Sequence, residues 1–108
     1  MSRVKGNAAE EKACEHLKNE GFTIVARNVY FKGGEIDIVA EKGGVIHFVE
    51  VKSGRAFEPV YNVTPRKIAR IVRGAQWWLK RRGIDAPWQI DVIAVRGEAC
   101  ERLPNVTI

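Results

Sequence analysis

The chain has 108 residues, a length that suits one domain with its own hydrophobic core. Apolar residues make up 45% of it and charged residues 29%, as is usual for soluble globular proteins. No apolar run approaches the length of a membrane span, and the first residues lack the apolar core of a signal peptide, so we expect a cytoplasmic protein with no membrane partner. The net charge of +5 indicates an acidic partner, and it favours nucleic acid over an anionic membrane surface.

The two cysteines, Cys14 and Cys100, are far apart in the sequence and form no Cys-x-x-Cys pair. They therefore give no indication of a zinc site. We expect two reduced structural thiols, and a single disulfide is the alternative.

The first predicted helix covers residues 8 to 20 and is stopped by Gly21. Glu10 lies three and seven residues before Ala13 and Leu17, so helical spacing places its carboxylate on the apolar face. A buried carboxylate is costly unless it is paired or bound to a metal ion, which makes Glu10 a candidate site residue. The alternative is that Glu10, in the first turn, only interacts favourably with the helix dipole.

A hairpin closed by Gly43-Gly44 forms the centre of the predicted fold, after a strand over residues 22 to 29. Glycine supplies the positive φ that both central positions of a type I′ turn require, so this pair between strand-like runs predicts a hairpin. If the two glycines are the whole loop, Lys42 faces Val45 and the numbers of every opposed pair sum to 87.

This register places Asp37 opposite Glu50 and Glu35 opposite Lys52. Opposed residues share a face with Cβ atoms about 4.5–5.5 Å apart, so three carboxylates and an ammonium gather at one end of the hairpin. Opposed carboxylates repel unless a cation lies between them or one of them is protonated. Since carboxylate oxygens suit Mg²⁺ or Mn²⁺, we predict Asp37 and Glu50 as metal ligands. Lys52 would then act on the attacking water or on the charge growing on phosphate.

The alternative for this cluster is purely structural. Strands often end in acids and lysines, and Glu35 with Lys52 would then be a cross-strand ion pair worth a few tenths of a kcal/mol.

Both faces of the hairpin carry apolar residues, which predicts helices on both sides of the sheet. By strict alternation, Ile36 and Ile38 fall on the face away from the acids, and Val39 and Phe48 fall on the acidic face. His47 also lies away from the acids, where packing is its expected role.

Residues 53 to 63 have the composition of a loop and directly follow Lys52. Arg55 in this loop is a candidate contact to a substrate phosphate.

Thr64-Pro65 then begins a second helix that runs to Arg82 and ends at Gly83, because threonine suits the cap and proline the first turn. One face of this helix carries a basic row with one aromatic residue, namely Arg66, Arg70, Arg73, Trp77 and Arg81. Such a row is typical of surfaces that follow a nucleic-acid backbone, and the alternative is a solvated charged face. Gly74 costs the helix about 1 kcal/mol and indicates close packing.

Residues 88 to 96 are predicted to form another strand and residues 101 to 108 a last one. Asp91 alternates with Ile93 and Val95, so we expect it to point inward. A structural role is the expectation, and a reserve acid of the site is the alternative.

With these residues placed, the sequence resembles the YraN family, small bacterial proteins in the restriction-endonuclease-like superfamily. The matching positions span most of the chain: Gly6, Ala9-Glu10, Arg27-Asn28, Gly34-Glu35-Ile36-Asp37, Phe48-Val49-Glu50-Val51-Lys52, Lys67, Ala75 and Asp91-Val92. The region of Glu10, Asp37, Glu50 and Lys52 is also similar to archaeal Holliday-junction resolvases.

The resemblance implies a single nuclease-like domain over residues 1 to 108, with an α/β restriction-endonuclease-like fold in which helices flank a mixed sheet. It also implies divalent-metal cleavage of phosphodiesters, with Asp37 and Glu50 as ligands of Mg²⁺ or Mn²⁺. Lys52 would lie beside the water, Glu10 would assist from the helix, and Glu35 is the further acid of the cluster.

The leading hypothesis is a metal-dependent endonuclease acting on structured or branched DNA, and a two-fold homodimer would suit symmetric cuts in two strands. The first alternative is a nucleic-acid-binding protein that keeps the fold without cleaving, working within a recombination or repair complex. The second is a structural or protein-interaction role.

Overall fold

The structure is a computed structural model that describes residues 7–54 and 64–107, so the prediction for Arg55 lies outside the described residues. Along the chain it contains α1 (Asn7–Asn19), β1 (Thr23–Phe31), β2 (Gly34–Lys42), β3 (Val45–Ser53), α2 (Pro65–Arg82), β4 (Trp88–Arg96) and β5 (Ala99–Leu103). These elements follow the predicted order. The last strand begins and ends earlier than predicted, because Gly97 adopts a φ of 61° and turns the chain back directly after β4.

All five strands join one sheet in the order β1-β2-β3-β4-β5. Strands β3 and β4 are parallel and the other neighbours are antiparallel, so the predicted mixed sheet is confirmed. Parallel neighbours need a crossover connection. Here α2 lies on that connection, which places it directly after the end of β3 in the chain.

One helix covers each face of the sheet, as the apolar residues on both faces predicted. Helix α1 packs on one face in a cluster that includes Ala13, Cys14, Leu17, Ile38, Ala40, Val49 and Ile93. Helix α2 packs on the other face in a cluster that includes Ile36, Val39, Phe48, Ile71, Ala75, Trp78 and Ile90. The sheet therefore separates an α1 side from an α2 side.

The predicted hairpin register is confirmed over five residue pairs, from Lys42–Val45 to Ile38–Val49. The turn glycines have φ values of 61° and 85°, as a type I′ turn requires. The ladder then stops, so the backbone pairing does not extend to the four charged residues of the predicted cluster. The reason is that the Asp37 carboxylate itself takes the backbone N–H of Val51, at 2.8 Å from Oδ2.

The regular alternation of side chains breaks in β1 and in β2 at the same level. Ala26 and Val29 pack on the α2 side although they are three residues apart, and so do Ile36 and Val39. Residues three apart in a regular strand point to opposite faces. The prediction that Ile36 faces away from the acids with Ile38 is therefore wrong. The breaks coincide with Asn28, which has a φ of 52°.

Helix α2 has the predicted ends and the predicted close contact. The Thr64 hydroxyl accepts the N–H of Lys67 at 3.2 Å, and Gly83 ends the helix in the left-handed conformation. A Cβ atom at Gly74 would overlap the ring of Phe31, so this glycine allows α2 to approach the sheet closely. No helix in residues 7–54 and 64–107 is long and apolar enough to cross a membrane.

Candidate metal and nucleic-acid site

Asp37 is half-buried at the point where the β2–β3 ladder ends. Its Oδ2 atom accepts the N–H of Val51, which fixes the carboxylate. Burial and the neighbouring Glu50 carboxylate raise the pKa of Asp37 from 3.8 to about 7, and Glu10 and Glu35 add to the effect. With no cation present, this acid therefore titrates near neutral pH instead of near pH 4.

Glu50 and Lys52, two residues apart on β3, form an ion pair with 3.6 Å between Oε2 and Nζ. Burial raises the pKa of Glu50, and the Lys52 ammonium opposes that rise. The two side chains are only 18% and 20% exposed, so their charges are partly shielded from solvent. Lys52 is thus held beside the predicted metal ligand, where the sequence placed it.

A cavity of about 230 Å³ brings most of the predicted cluster together with helix α2. It is lined by Glu35, Glu50, Lys52, Lys67, Arg70 and Ile71. The nearby Lys52 ammonium lowers the pKa of Lys67. The cavity therefore combines two carboxylates with three cationic side chains, which suits a ligand that carries both a cation and an anion.

Lys67 was not among the site residues predicted from the sequence, where it was only a family match. Its position in the sequence could have indicated a place in the site. Lys67 lies four residues before Ile71 and three before Arg70, so the three side chains are neighbours on one side of the helix. Combining that spacing with the expected proximity of α2 to the end of β3 would have identified it.

Glu10 is buried at 7% exposure, as its helical spacing predicted. Helix α1 covers the face opposite the one on which Phe48 and α2 pack, so Glu10 belongs to the side of the sheet opposite Glu50. Glu10 instead accepts a hydrogen bond from Asn28 at 3.1 Å and lies 3.8 Å from Arg27. It approaches the other acids through the break in the sheet.

The carboxylates of the cluster form a small donor set for a divalent cation. Among residues 7–54 and 64–107, no three His, Cys, Asp or Glu side chains are grouped so that they could hold an ion by themselves. Asp37 and Glu50 offer two hard oxygen donors whose raised pKa values show that a nearby positive charge would stabilise them. Mg²⁺ is usually held by one or two carboxylates together with water and substrate phosphate, so a two-acid set fits it.

The predicted basic row of α2 lies partly in the cavity and partly on the exposed surface of the helix. Arg70 lines the cavity, while Arg66, Arg73, Trp77 and Arg81 are exposed along the helix. The guanidinium of Arg81 lies 5.5 Å from the Trp77 ring centre, and Trp77 is 41% exposed. An aromatic surface and several cations are therefore available to a long anionic ligand.

Asp91 is fully buried and has a structural role, as predicted. It accepts hydrogen bonds from His47 at 2.6 Å, Gln89 at 2.8 Å, Arg102 at 3.1 Å and the Asn105 N–H at 2.9 Å. Burial alone would raise the pKa of Asp91, but the hydrogen bonds from Asn105, Gln89 and His47 hold it below the ordinary value. His47 packs edge-on against the ring of Phe22, so it takes no part in the acidic cluster.

The chain is similar to proteins of one family over most of its length. The model of "Uncharacterised protein family UPF0102" matches residues 9–95. A UPF0102 protein of Wolinella succinogenes is 50% identical over 108 residues, which cover all of both chains. A Sulfurovum protein is 42% identical over 110 residues, covering 100% of this chain and 97% of its own. A Helicobacter pylori protein is 45% identical over 105 residues, covering 97% and 92%.

Proposed function

We propose that this chain, which belongs to the uncharacterised protein family UPF0102, is a Mg²⁺- or Mn²⁺-dependent endonuclease that acts on structured or branched DNA. The YraN family identified from the sequence motifs is thereby confirmed. The restriction-endonuclease-like fold and the likeness to Holliday-junction resolvases belong to the proposal. The mixed sheet with a helix on each face supports that fold.

The observation that carries the proposal is the pairing of like charges at one place. Burial and the neighbouring Glu50 carboxylate raise the pKa of Asp37 to about 7, which means that the charge of Asp37 is not compensated within the protein. The Lys52 ammonium likewise lies close enough to Lys67 to lower the pKa of Lys67. A divalent cation would stabilise the acids and a phosphate group would stabilise the lysines, so a metal ion with a phosphodiester satisfies both sets.

Each residue then has a definite task in phosphodiester hydrolysis. Asp37 and Glu50 would hold the ion, which when bound supplies Lewis-acid stabilisation of the phosphate oxygens. Lys52, fixed by its ion pair with Glu50, orients the attacking water or stabilises the charge that grows on the phosphate. Lys67 and Arg70 bind the phosphate group from α2, since they line the same cavity.

The basic row of α2 would carry the rest of the nucleic acid. Arg73, Trp77 and Arg81 are exposed and follow Arg70 along one helix face. Cations interleaved with an aromatic ring bind the backbone and stack on unpaired bases, with little preference for sequence. This surface suits DNA that contains unpaired or splayed bases, such as a branch point.

A cleavage assay on linear, flap and four-way-junction DNA with Mg²⁺, Mn²⁺, Ca²⁺ or EDTA tests the proposal. We expect cutting with Mg²⁺ or Mn²⁺ and none with EDTA. Asp37→Asn should abolish cutting and leave DNA binding nearly intact, because asparagine removes a metal-binding charge while its oxygen can still accept the Val51 N–H. Lys52→Ala should lower the rate more than it lowers metal affinity. A wild-type protein that cuts none of these substrates with any of the metals contradicts the proposal.

The second candidate function is nucleic-acid binding without cleavage. It is favoured by the lack of a three-acid metal group among the described residues, together with an exposed basic row that needs no metal. DNA binding by fluorescence anisotropy, in a protein that shows neither cleavage nor Mn²⁺ binding by calorimetry, would select this function over the nuclease.

A further inference from the structure

We infer that Asn28 is a positioning residue of this site, whose side-chain amide fixes Glu10 and Glu35 on either side of the break in the sheet. The inference rests on the proposed function, because it assigns Asn28 a task in the same acidic cluster. Nothing in the sequence motifs gave Asn28 a role beyond its place among the family matches.

The first observation is a bridge made by one nitrogen atom. Nδ2 of Asn28 donates to Glu10 Oε1 at 3.1 Å and to Glu35 Oε2 at 2.9 Å. An amide NH₂ group has two hydrogens, so it can serve both carboxylates at once. With the amide turned over, its oxygen would face two carboxylate oxygens and be repelled, so the nitrogen must take this position.

The second observation is the backbone of Asn28, whose φ of 52° lies in the left-handed region. Asparagine adopts this conformation more readily than most residues other than glycine. Backbone pairing of β1 with β2 holds at Arg27–Ile38 and at Val29–Ile36 but skips the position between them. Asn28 and Asp37 occupy that position, so the unusual residue of β1 lies beside the acid with the raised pKa.

The third observation is that the bridge joins side chains from different parts of the molecule. Glu10 belongs to α1, which packs on one face of the sheet, and Glu35 lines the cavity beside α2. Asn28 is thus the contact through which a helix on one face is linked to a cavity on the other. Both bridged carboxylates act electrostatically on Asp37, so fixing them keeps negative charge beside the predicted metal ligand.

The test uses two substitutions at Asn28 and a matched control. Asn28→Gly tolerates the positive φ and removes the amide, while Asn28→Asp keeps the size but replaces the donor by an oxygen. Asn105→Gly is the control, because Asn105 has a similar φ of 48° and its backbone N–H bonds to Asp91 instead of to the acidic cluster. Thermal unfolding of each variant reports any general loss of stability.

The bridge itself is measured without metal or substrate, from the two side-chain NH₂ resonances of Asn28 in the NMR spectrum. Glu10→Gln should shift one of them and Glu35→Gln the other. If neither resonance responds to either substitution, the bridge does not exist in solution and the inference is overturned.

The positioning role is measured by Mn²⁺ calorimetry on the same proteins. Changing outer-shell residues around a metal site typically costs 10-fold to 100-fold in affinity, and Asn28 acts through carboxylates that neighbour the ligand Asp37, so Asn28→Gly should bind Mn²⁺ about tenfold more weakly and Asn105→Gly like the wild type. The double variant of Asn28→Gly with Glu10→Gln should bind no more weakly than the weaker single variant, because the two residues act as one unit.

The outcomes separate the inference from the proposed function. Wild-type Mn²⁺ affinity in Asn28→Gly, with binding and cleavage intact in the wild type, overturns the positioning role alone. A wild type that neither binds Mn²⁺ nor cuts DNA overturns the proposed function, and the positioning role with it.

Discussion

Asp37 is a half-buried carboxylate whose ionisation depends on its close neighbours. It caps the N–H of Val51 at the end of the hairpin ladder and has Glu50, Glu10 and Glu35 as charged neighbours. Its pKa of about 7 in the folded protein lies above the ordinary value of 3.8, so the folded state binds a proton that the unfolded chain has lost at intermediate pH. Metal-free stability contributed by this group is complete below about pH 4 and is lost as the pH rises through 7.

Asp37→Asn should therefore flatten the pH dependence of the metal-free protein. At pH 8 in EDTA we expect the variant to have a free energy of unfolding roughly 1–3 kcal/mol above that of the wild type, because no buried charge remains at this position. At pH 4 the two proteins should be nearly equal. Urea unfolding at pH 4, 6 and 8 measures the difference, and the same pH slope in both proteins would show that Asp37 is not the titrating group.

Helix α2 combines a packed apolar face and an exposed basic face in one element. Its approach to the sheet depends on Gly74, where a side chain would overlap the Phe31 ring. Its basic row begins at Arg70 in the cavity and continues along the exposed face. The glycine thus determines how close the cationic side chains of α2 lie to Glu35 on β2 and Glu50 on β3.

Gly74→Ala should destabilise the protein although alanine is the better helix former. Helix propensity alone would favour alanine by about 1 kcal/mol, whereas overpacking against Phe31 costs about 1–3 kcal/mol. We expect a lower melting temperature for Gly74→Ala and a partial recovery when Phe31→Leu is added, since the smaller side chain leaves room for the methyl group. A higher melting temperature for the single variant would mean that the helix lies farther from the sheet.

Neutralising Arg70 and Arg73 to glutamine should weaken DNA binding for every sequence. Each lost phosphate contact lowers the slope of log affinity against log salt by about 0.9 for duplex DNA, so the double variant should lose up to about 2. Lys18→Gln is the control, because Lys18 is exposed on α1, the helix of the other face. Fluorescence anisotropy over a salt series provides the measurement, and an unchanged slope on duplex and branched DNA would exclude α2 as the binding surface.

Local signals in the sequence were sufficient for most of the elements. The Gly43-Gly44 turn determined the hairpin register, and Thr64 and Gly83 marked the ends of α2, because each signal acts over a few neighbouring residues. The break at Asn28 could not be predicted this way. At this break, the side chains of β1 and β2 stop alternating between the two faces of the sheet at the same level. The sequence pattern of one strand cannot show this, because it is interpreted with a period of two throughout.

For the same reason the sequence located the site only in part. Asp37, Glu50 and Lys52 were placed together correctly, since they lie within one hairpin and its register is local. Lys67 and Asn28 were missed, because their proximity to the acids depends on the crossover helix and on the break in the sheet. Glu10 was predicted to be buried, but the face it approaches from follows from the packing of α1.

At the scale of the whole molecule, the sheet carries two aspartates, Asp91 and Asp37, whose surroundings treat a negative charge differently. Asp91 has four hydrogen-bond donors and a lowered pKa, so its negative charge is fully compensated within the protein. Among the residues that the structure describes, Asp37 accepts one hydrogen bond and has a raised pKa, so its charge is less well compensated within the protein than that of Asp91. A cation should therefore bind at Asp37 and Glu50, and Asp91 should bind none.

Anomalous diffraction from a crystal grown with Mn²⁺ tests this claim most directly, because it locates the ion itself. The account predicts an anomalous peak about 2.1–2.2 Å from carboxylate oxygens of Asp37 and Glu50, and the loss of that peak in crystals of Asp37→Asn. No peak at this position under saturating Mn²⁺, or a peak that persists unchanged in Asp37→Asn, would contradict it.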